Sequence, residues 1–376
     1  MKLSESEEEI KNKLRILKGE NGLHSASVNE IELLIKREIT IDACFLSNPY
    51  SQELAYKWLE KDIKKQLKNY PPSHSFLAKK IGEWRNLDPS RIIVGNGATE
   101  LIYHILNTIK NKKIVIPIPS FSTYYELLEK ENDIIYYQLE SYNEYIVEID
   151  VIIRLIQKEM PHYVILINPS NPTGQLLHPE ELKTIHKSMS STQILIIDES
   201  FIDFSDGDMS LESYAALYNN ITIIRSLSKD FGLAGLRLGY SFLPHTIKNK
   251  LSASSFLWNI NGLASVFCTY LSNKKFIEEY QECKAKYIED KQNFYRKLSA
   301  LPFKVYNSSA NFFLIKPDMS AENLFVRLIH KHGIYTRLLN DKIGLDANYL
   351  RVASKDSIEN QKIFNALKSE LLQTAK

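Results

Sequence analysis

Between residues 90 and 245 the chain repeats one pattern, a short aliphatic run followed by a helical stretch. The runs cover 91–94, 114–118, 134–139, 163–167, 194–197, 221–225 and 239–243. Several are apolar at every position, so they have no face to give to water. Strands of that kind are covered on both sides. Helical stretches at 99–109 and 179–189 are placed to supply the cover. The alternation predicts an α/β domain with a doubly wound, mostly parallel sheet and right-handed crossovers.

From about residue 246 the rhythm changes. A long helical stretch fills 274–301, strand candidates stand at 311–316 and 349–352, and a closing helix spans 357–372. This reads as a smaller α+β domain. A chain of 376 residues also exceeds the ~250–300 residues that one core usually supports. The expected division is an N-terminal arm and helix (1–48) joining the small domain, a large domain (49–250) and a small C-terminal domain (251–376). The first 20 residues alternate acids and lysines and read as a polar helix ending at a Gly19–Gly22 break.

Bulk charge excludes some roles. With 47 basic and 45 acidic residues the net charge is +2, which exerts no general pull on nucleic acid or acidic membranes. Anion binding must then be local. Cys44, Cys268 and Cys283 have no metal-ligand spacing and are odd in number, which argues against a disulfide scaffold or zinc site and suits a reducing compartment. The N-terminus lacks the apolar segment of a signal peptide, and no window approaches ~18 uninterrupted apolar residues. A cytoplasmic location is expected.

Ligands of doubly wound sheets sit at the carboxyl ends of the strands, and the unusual residues of this chain fall there. The run Ile194-Leu-Ile-Ile-Asp198 puts an acid at the end of a buried strand. Alone, such an Asp is a cap or a structural hydrogen-bond partner; with a cofactor it is a carboxylate that holds a ring nitrogen protonated. In Ser226-Leu-Ser228-Lys229-Asp-Phe-Gly232-Leu-Ala-Gly235-Leu-Arg237-Leu-Gly239, a lysine follows a strand directly, between hydroxyls and glycines. A desolvated amine there is suited to covalent chemistry with an aldehyde. Arg237 is placed to return to an anion that Ser226 and Ser228 also reach.

Two further loops fit the same plan. Asn168-Pro-Ser-Asn171-Pro172-Thr-Gly174 is a turn by composition, and it lies one strand before Asp198. Gly95-Asn-Gly97-Ala98-Thr99-Glu100 opens a helix after a strand, where backbone N–H groups and the helix dipole favour a phosphate. Phe121, in the loop after the next strand, is placed to stack on a flat ring.

In this order the runs resemble the fold-type-I pyridoxal 5′-phosphate (PLP) enzymes, specifically the class-II aminotransferase branch, from about residue 24 onward. The resemblance implies that Lys229 forms the imine with PLP, Asp198 pairs with the pyridinium nitrogen, Asn171 holds the ring hydroxyl and Phe121 stacks on the ring. Gly97, Ala98, Thr99, Ser226, Ser228 and Arg237 bind the cofactor phosphate. It further implies a homodimer in which Tyr70, of Asn69-Tyr70-Pro71, reaches the neighbour's phosphate, and an Arg351 that grips the substrate carboxylate. No metal is implied.

Two subfamilies compete: histidinol-phosphate aminotransferases and the L-threonine O-3-phosphate decarboxylases of cobalamin biosynthesis. Phe201 stands where aminotransferases usually carry a tyrosine, and Trp258-Asn-Ile-Asn261 and Gly344-Leu-Asp-Ala-Asn-Tyr-Leu-Arg351-Val-Ala353 are similar to decarboxylase segments. His24 resembles the decarboxylase histidine near the substrate phosphate, and Arg337 a second active-site arginine. The family's Asn-Ile-Asn-Pro appears here as Leu46-Ser47-Asn48-Pro49, which keeps Asn48 at the substrate end. The glycines after His24 are replaced by Ser25 and Ala26. These departures gather at the substrate end, so O-phospho-L-threonine and O-phospho-L-serine both stand as expected substrates, with transamination as the alternative. A non-catalytic regulator needs an added DNA-binding domain of roughly 60 residues, and about 20 polar, acid-rich residues precede the matched region.

Overall fold

The computed structural model describes residues 3–21, 25–252 and 258–372. Helices Glu5–Asn21 and Val28–Ile35 precede a two-residue strand, β1 (Ile41–Asp42). Then follow β2 (Ile92–Gly95), β3 (Lys113–Ile118), β4 (Asp133–Gln138), β5 (Tyr163–Ile167), β6 (Ile194–Asp198), β7 (Ile221–Ser226) and β8 (Gly239–Phe242). These make one seven-stranded sheet in the order β2-β8-β7-β6-β5-β3-β4. Each strand lies within a residue of its expected run. All neighbours are parallel except β8, which is antiparallel to β2 and β7.

The sheet buries side chains in both directions, which is why the runs lack polar alternation. Val94, Leu195, Ile197 and Ile223 join one core; Ile93, Ile196 and Ile224, their chain neighbours, join another. Each such side chain contributes roughly 1.5–3 kcal/mol when removed from water, so a polar residue in these strands is costly. Asp198, at the end of β6, and Arg225, near the end of β7, are buried charges in these strands that need an explanation.

A second body is built from β9 (Lys304–Val305), β10 (Phe312–Lys316), β11 (Ile334–Tyr335), β12 (Arg337–Leu338) and β13 (Leu350–Ala353). Four of them form an antiparallel sheet ordered β12-β13-β10-β9, while β11 pairs in parallel with β1. Leu14, Ile31, Ile41 and Cys44 of the N-terminal arm share a core with Phe313, Leu328 and Val352. The arm therefore packs with the C-terminal body.

Two boundaries differ from expectation. Ile260, Phe267, Phe276 and Tyr280 belong to the large core, so the division near residue 250 moves into the helix Lys274–Leu298. That helix continues through Tyr287 to Phe294 and Leu298, which lie in the small core. Helix Glu5–Asn21 runs on through Gly19 in its last turn, where a glycine costs only ~1 kcal/mol, and ends at Asn21; Gly22, the other end of the expected break, lies outside the described residues. No helix among the described residues is long and apolar enough to cross a membrane.

Candidate active site

Strand direction brings the expected loops to one edge. Register sets Gly95 opposite Gly239, Gly239 opposite Ser226, Ile224 opposite Asp198, and Asp198 opposite Ile167. The loops leaving these positions enclose a cavity of about 580 Å³ between the two bodies. Ala98, Thr99, Phe121, Asn171, Asp198, Ser226, Ser228, Lys229, Arg237, Arg337 and Arg351 all line it.

Asp198 is buried, and its carboxylate accepts hydrogen bonds from Tyr124 Oη (2.9 Å) and from the backbone N–H of Ser200 (2.9 Å). Burial, together with that carboxylate, pushes the Tyr124 hydroxyl far up, so it stays a donor. Tyr124 went unassigned in the sequence, although it follows Phe121 by only three residues.

Lys229 sits between the loops with its Nζ 4.5 Å above the Phe201 ring. Desolvation pushes its ammonium down to about 8; Asp198 opposes that shift and Arg237 adds to it. The backbone fixes the lysine as well. Its carbonyl accepts from Asn48 N (2.8 Å) and from Gly232 N (3.2 Å). Gly232 has φ +68°, and a Cβ there would meet the Asn48 carbonyl at 2.3 Å, so the turn needs glycine.

The phosphate end is shaped by missing side chains. Gly97 has φ +85°, and a Cβ on it would stand 2.3 Å from the Arg237 guanidinium. A Cβ on Gly239 would stand 2.7 Å from Ala98 N. Both glycines let Arg237, itself at φ +54°, close onto the N-terminus of helix Ala98–Asn107. Ser228 Oγ exchanges hydrogen bonds of 3.2 Å with the backbone of Leu238, bracing the turn that returns Arg237. This donor set fits PLP: a desolvated lysine, a buried carboxylate, a flat aromatic wall, and an arginine at a helix N-terminus.

The opposite end is cationic. Arg351 donates to Asn171 Oδ1 (2.8 Å) and to the Cys44 carbonyl (2.9 Å). Its buried Nε has no hydrogen-bond partner among the described residues, and desolvation pushes the guanidinium down to about 10. Arg337 and Arg351 face each other directly across the β12–β13 pair. Like charges in that register are destabilising, and Asp341, 2.5 Å from the Arg337 guanidinium, offsets part of that conflict.

Other placements differ from the sequence reading. Asn48 is buried, but its side chain caps the helix Pro49–Leu59, accepting from Tyr50 N and Ser51 N and donating to Ser51 Oγ (2.8 Å). The expected substrate contact is corrected to a positioning one, because the cap consumes the amide while its backbone holds Lys229. Tyr70 is exposed, with its ring 5.0 Å from that of Trp258, and it does not line its own chain's cavity. His24 lies outside the described residues. Missed by sequence were Asp341 and Lys342, in a charged stretch that reads as an ordinary solvated loop. Also missed was the buried cluster behind the lysine loop, where Arg225 meets Glu199 (3.1 Å) and Asp203 (2.5 Å). Arg225 ends an apolar strand, a signal of the same kind as Asp198.

The pattern of aminotransferase class I and II matches residues 45–364. The chain belongs to that family. It is 36% identical, over 98% of both chains, to an L-serine phosphate decarboxylase of Campylobacter jejuni. A decarboxylase from Sulfurospirillum multivorans superposes with a TM-score of 0.88 at 34% identity, over 98% of this chain and 99% of that one. A histidinol-phosphate aminotransferase of Ruminiclostridium cellulolyticum is 31% identical over 72% of this chain and 75% of its own length. The fold is that of the fold-type-I PLP enzymes, as the motif order implied.

Proposed function

We propose that the protein is a PLP-dependent decarboxylase of an O-phosphorylated L-amino acid, acting on O-phospho-L-serine ahead of O-phospho-L-threonine. The observation that carries this is the Arg337–Arg351 pairing beside Lys229: one cavity end holds two arginines based on adjacent strands. A substrate with a carboxylate and a phosphate satisfies both. The similarity to serine phosphate decarboxylases over nearly the whole chain supports the order of substrates. The product, ethanolamine phosphate, suits the lower-ligand arm of a cobamide.

PLP, when bound, supplies an electron sink for the pair left by a broken Cα bond. The chain's own residues decide which bond breaks. Arg351, with its bare Nε, takes the carboxylate as a two-pronged fork and turns it toward loss as carbon dioxide. Arg337 holds the phosphate, which fixes the far end of the molecule. Asp198 keeps a proton on the ring nitrogen, and Tyr124 secures Asp198. Lys229 Nζ carries the proton that replaces the carboxylate at Cα. Phe201 offers no hydroxyl to the ring, leaving Asn171 as the polar neighbour there.

The test needs the holoenzyme and O-phospho-L-serine without any keto acid. Carbon dioxide release with ethanolamine phosphate formed in equal amount is the expected result. Turnover only when 2-oxoglutarate and histidinol phosphate are added would reverse the reading to transamination. The working unit is a homodimer in the cytoplasm, with Tyr70 completing the neighbour's phosphate site; its exposure supports that role. Sedimentation at low concentration and PLP affinity of Tyr70→Phe test it together, and a monomer with full affinity contradicts it.

A further inference from the structure

The stretch that follows β12 carries two charged side chains that the reading above leaves unused. Asp341 is nearly buried and accepts from Arg337 at 2.5 Å. Although burial disfavours its charge, Arg337, Lys342 and Lys18 together hold its carboxyl below the usual range. Lys18 arrives from the N-terminal helix, 3.5 Å from Asp341 Oδ1, and also hydrogen-bonds Asn340. Lys342 turns the other way. It lines the cavity with Arg337 and Arg351, and it donates to the neutral Ser122 Oγ at 2.9 Å.

Charge arithmetic then discriminates among ligands. Lys18 and Asp341 cancel. Arg337 and Lys342 stand as the two further cations of the cavity lining, with Glu126 the acidic group that also acts on Lys342, while Arg351 is committed to the carboxylate. A phosphate monoester carries close to two negative charges at neutral pH; a side-chain carboxylate carries one. Desolvation, with Arg337 and Arg351 adding to it, pushes the Lys342 ammonium down to about 8 against the pull of Asp341 and Glu126, and an anion beside it favours the charged form.

We propose that Lys342 is a second cation of the substrate-phosphate subsite beside Arg337, and that Lys18 of the N-terminal helix neutralises Asp341 so that both cations face the dianion. This rests on a phosphorylated substrate, and it assigns the preference for a doubly charged tail to Lys342. Lys18 is a positioning residue: it reaches the ligand only through Asp341.

The test is calorimetric titration of the holoenzyme with ethanolamine phosphate, which has the phosphate but no carboxylate to lose, alongside L-serine, which has no phosphate. Lys342→Met is expected to weaken ethanolamine phosphate about 30-fold, the loss of one charged hydrogen bond, while L-serine affinity and the cofactor's absorption spectrum stay within threefold and unshifted. Lys342→Arg restores most of the loss, and Lys18→Met weakens the phosphate ligand by about 3- to 10-fold. Equal weakening of both ligands, or a changed cofactor spectrum, would make Lys342 a mere pin for the Ser122 loop and overturn the proposal. Undiminished ethanolamine phosphate binding in Lys342→Met, or none in the wild type, overturns it too. Because binding is read apart from carbon dioxide release, an enzyme that binds the phosphate but transaminates would sink the decarboxylase reading and leave Lys342 in place.

Discussion

The two ends of the cavity are built on different logic. At the cofactor end, Asp198, Ser226, Lys229 and Arg237 stand at or just beyond the ends of strands in one buried sheet, and their positions follow from strand register. At the substrate end, Arg337, Asp341 and Lys342 follow one another on a two-residue strand and the loop after it, in the small body. The first end is rigid because a sheet buried on both faces fixes it. The second is held by charges balanced against one another. The first therefore defines the chemistry, and the second is free to choose the substrate.

Breaking the cofactor end should cost most. Lys229→Ala removes the amine proposed to bond the cofactor and return a proton, and kcat should fall at least ~10⁴-fold; single-turnover assays check this, and a loss confined to KM would contradict the role. Asp198→Asn leaves the shape but removes the charge that would pair with the ring nitrogen, with an expected fall of about 10²- to 10³-fold, read as kcat at saturating cofactor. At the substrate end, Arg351→Ala should cost about 100-fold in kcat/KM while PLP binding stays intact. If Arg351→Ala instead abolished PLP binding, the two ends would not be separable.

A smaller effect sharpens the contrast through pH. The Lys229 amine is pushed down to about 8, and only its neutral form attacks an aldehyde. Below about 8 the protonated form dominates, so the rate of PLP capture by the apoenzyme should rise about tenfold per pH unit and level off above it. Stopped-flow absorbance at fixed PLP follows this. A rate still climbing at pH 10 would mean that burial leaves the lysine at its ordinary value.

The same contrast explains what could be read from the chain. Ile194–Asp198 stands out because an acid closing a buried strand needs a partner, and the neighbouring loops supply the chemistry that chooses a ligand over a cap. Lys229 is legible for the same cause, set among glycines whose missing Cβ atoms the packing requires. Asp341 and Lys342 are not. Their neighbours in sequence are ordinary for a solvated loop, and only the fold brings Lys18 to one and Arg337 to both. Asn48 was placed at the correct loop with the wrong task, since a helix cap and a ligand contact call for the same amide. The domain boundary near 250 failed because the change of pattern marks where the sheet ends, whereas the large core continues to Tyr280.

The helix Lys274–Leu298 roots Phe276 in one core and Leu298 in the other, with Tyr287 at the seam between them. A single rod anchored at both extremities ties the fate of one body to that of its companion. Heat that loosens either end tugs on the opposite one, and overlapping melting of the two bodies, rather than two well-separated transitions, is the outcome expected in a calorimetric scan.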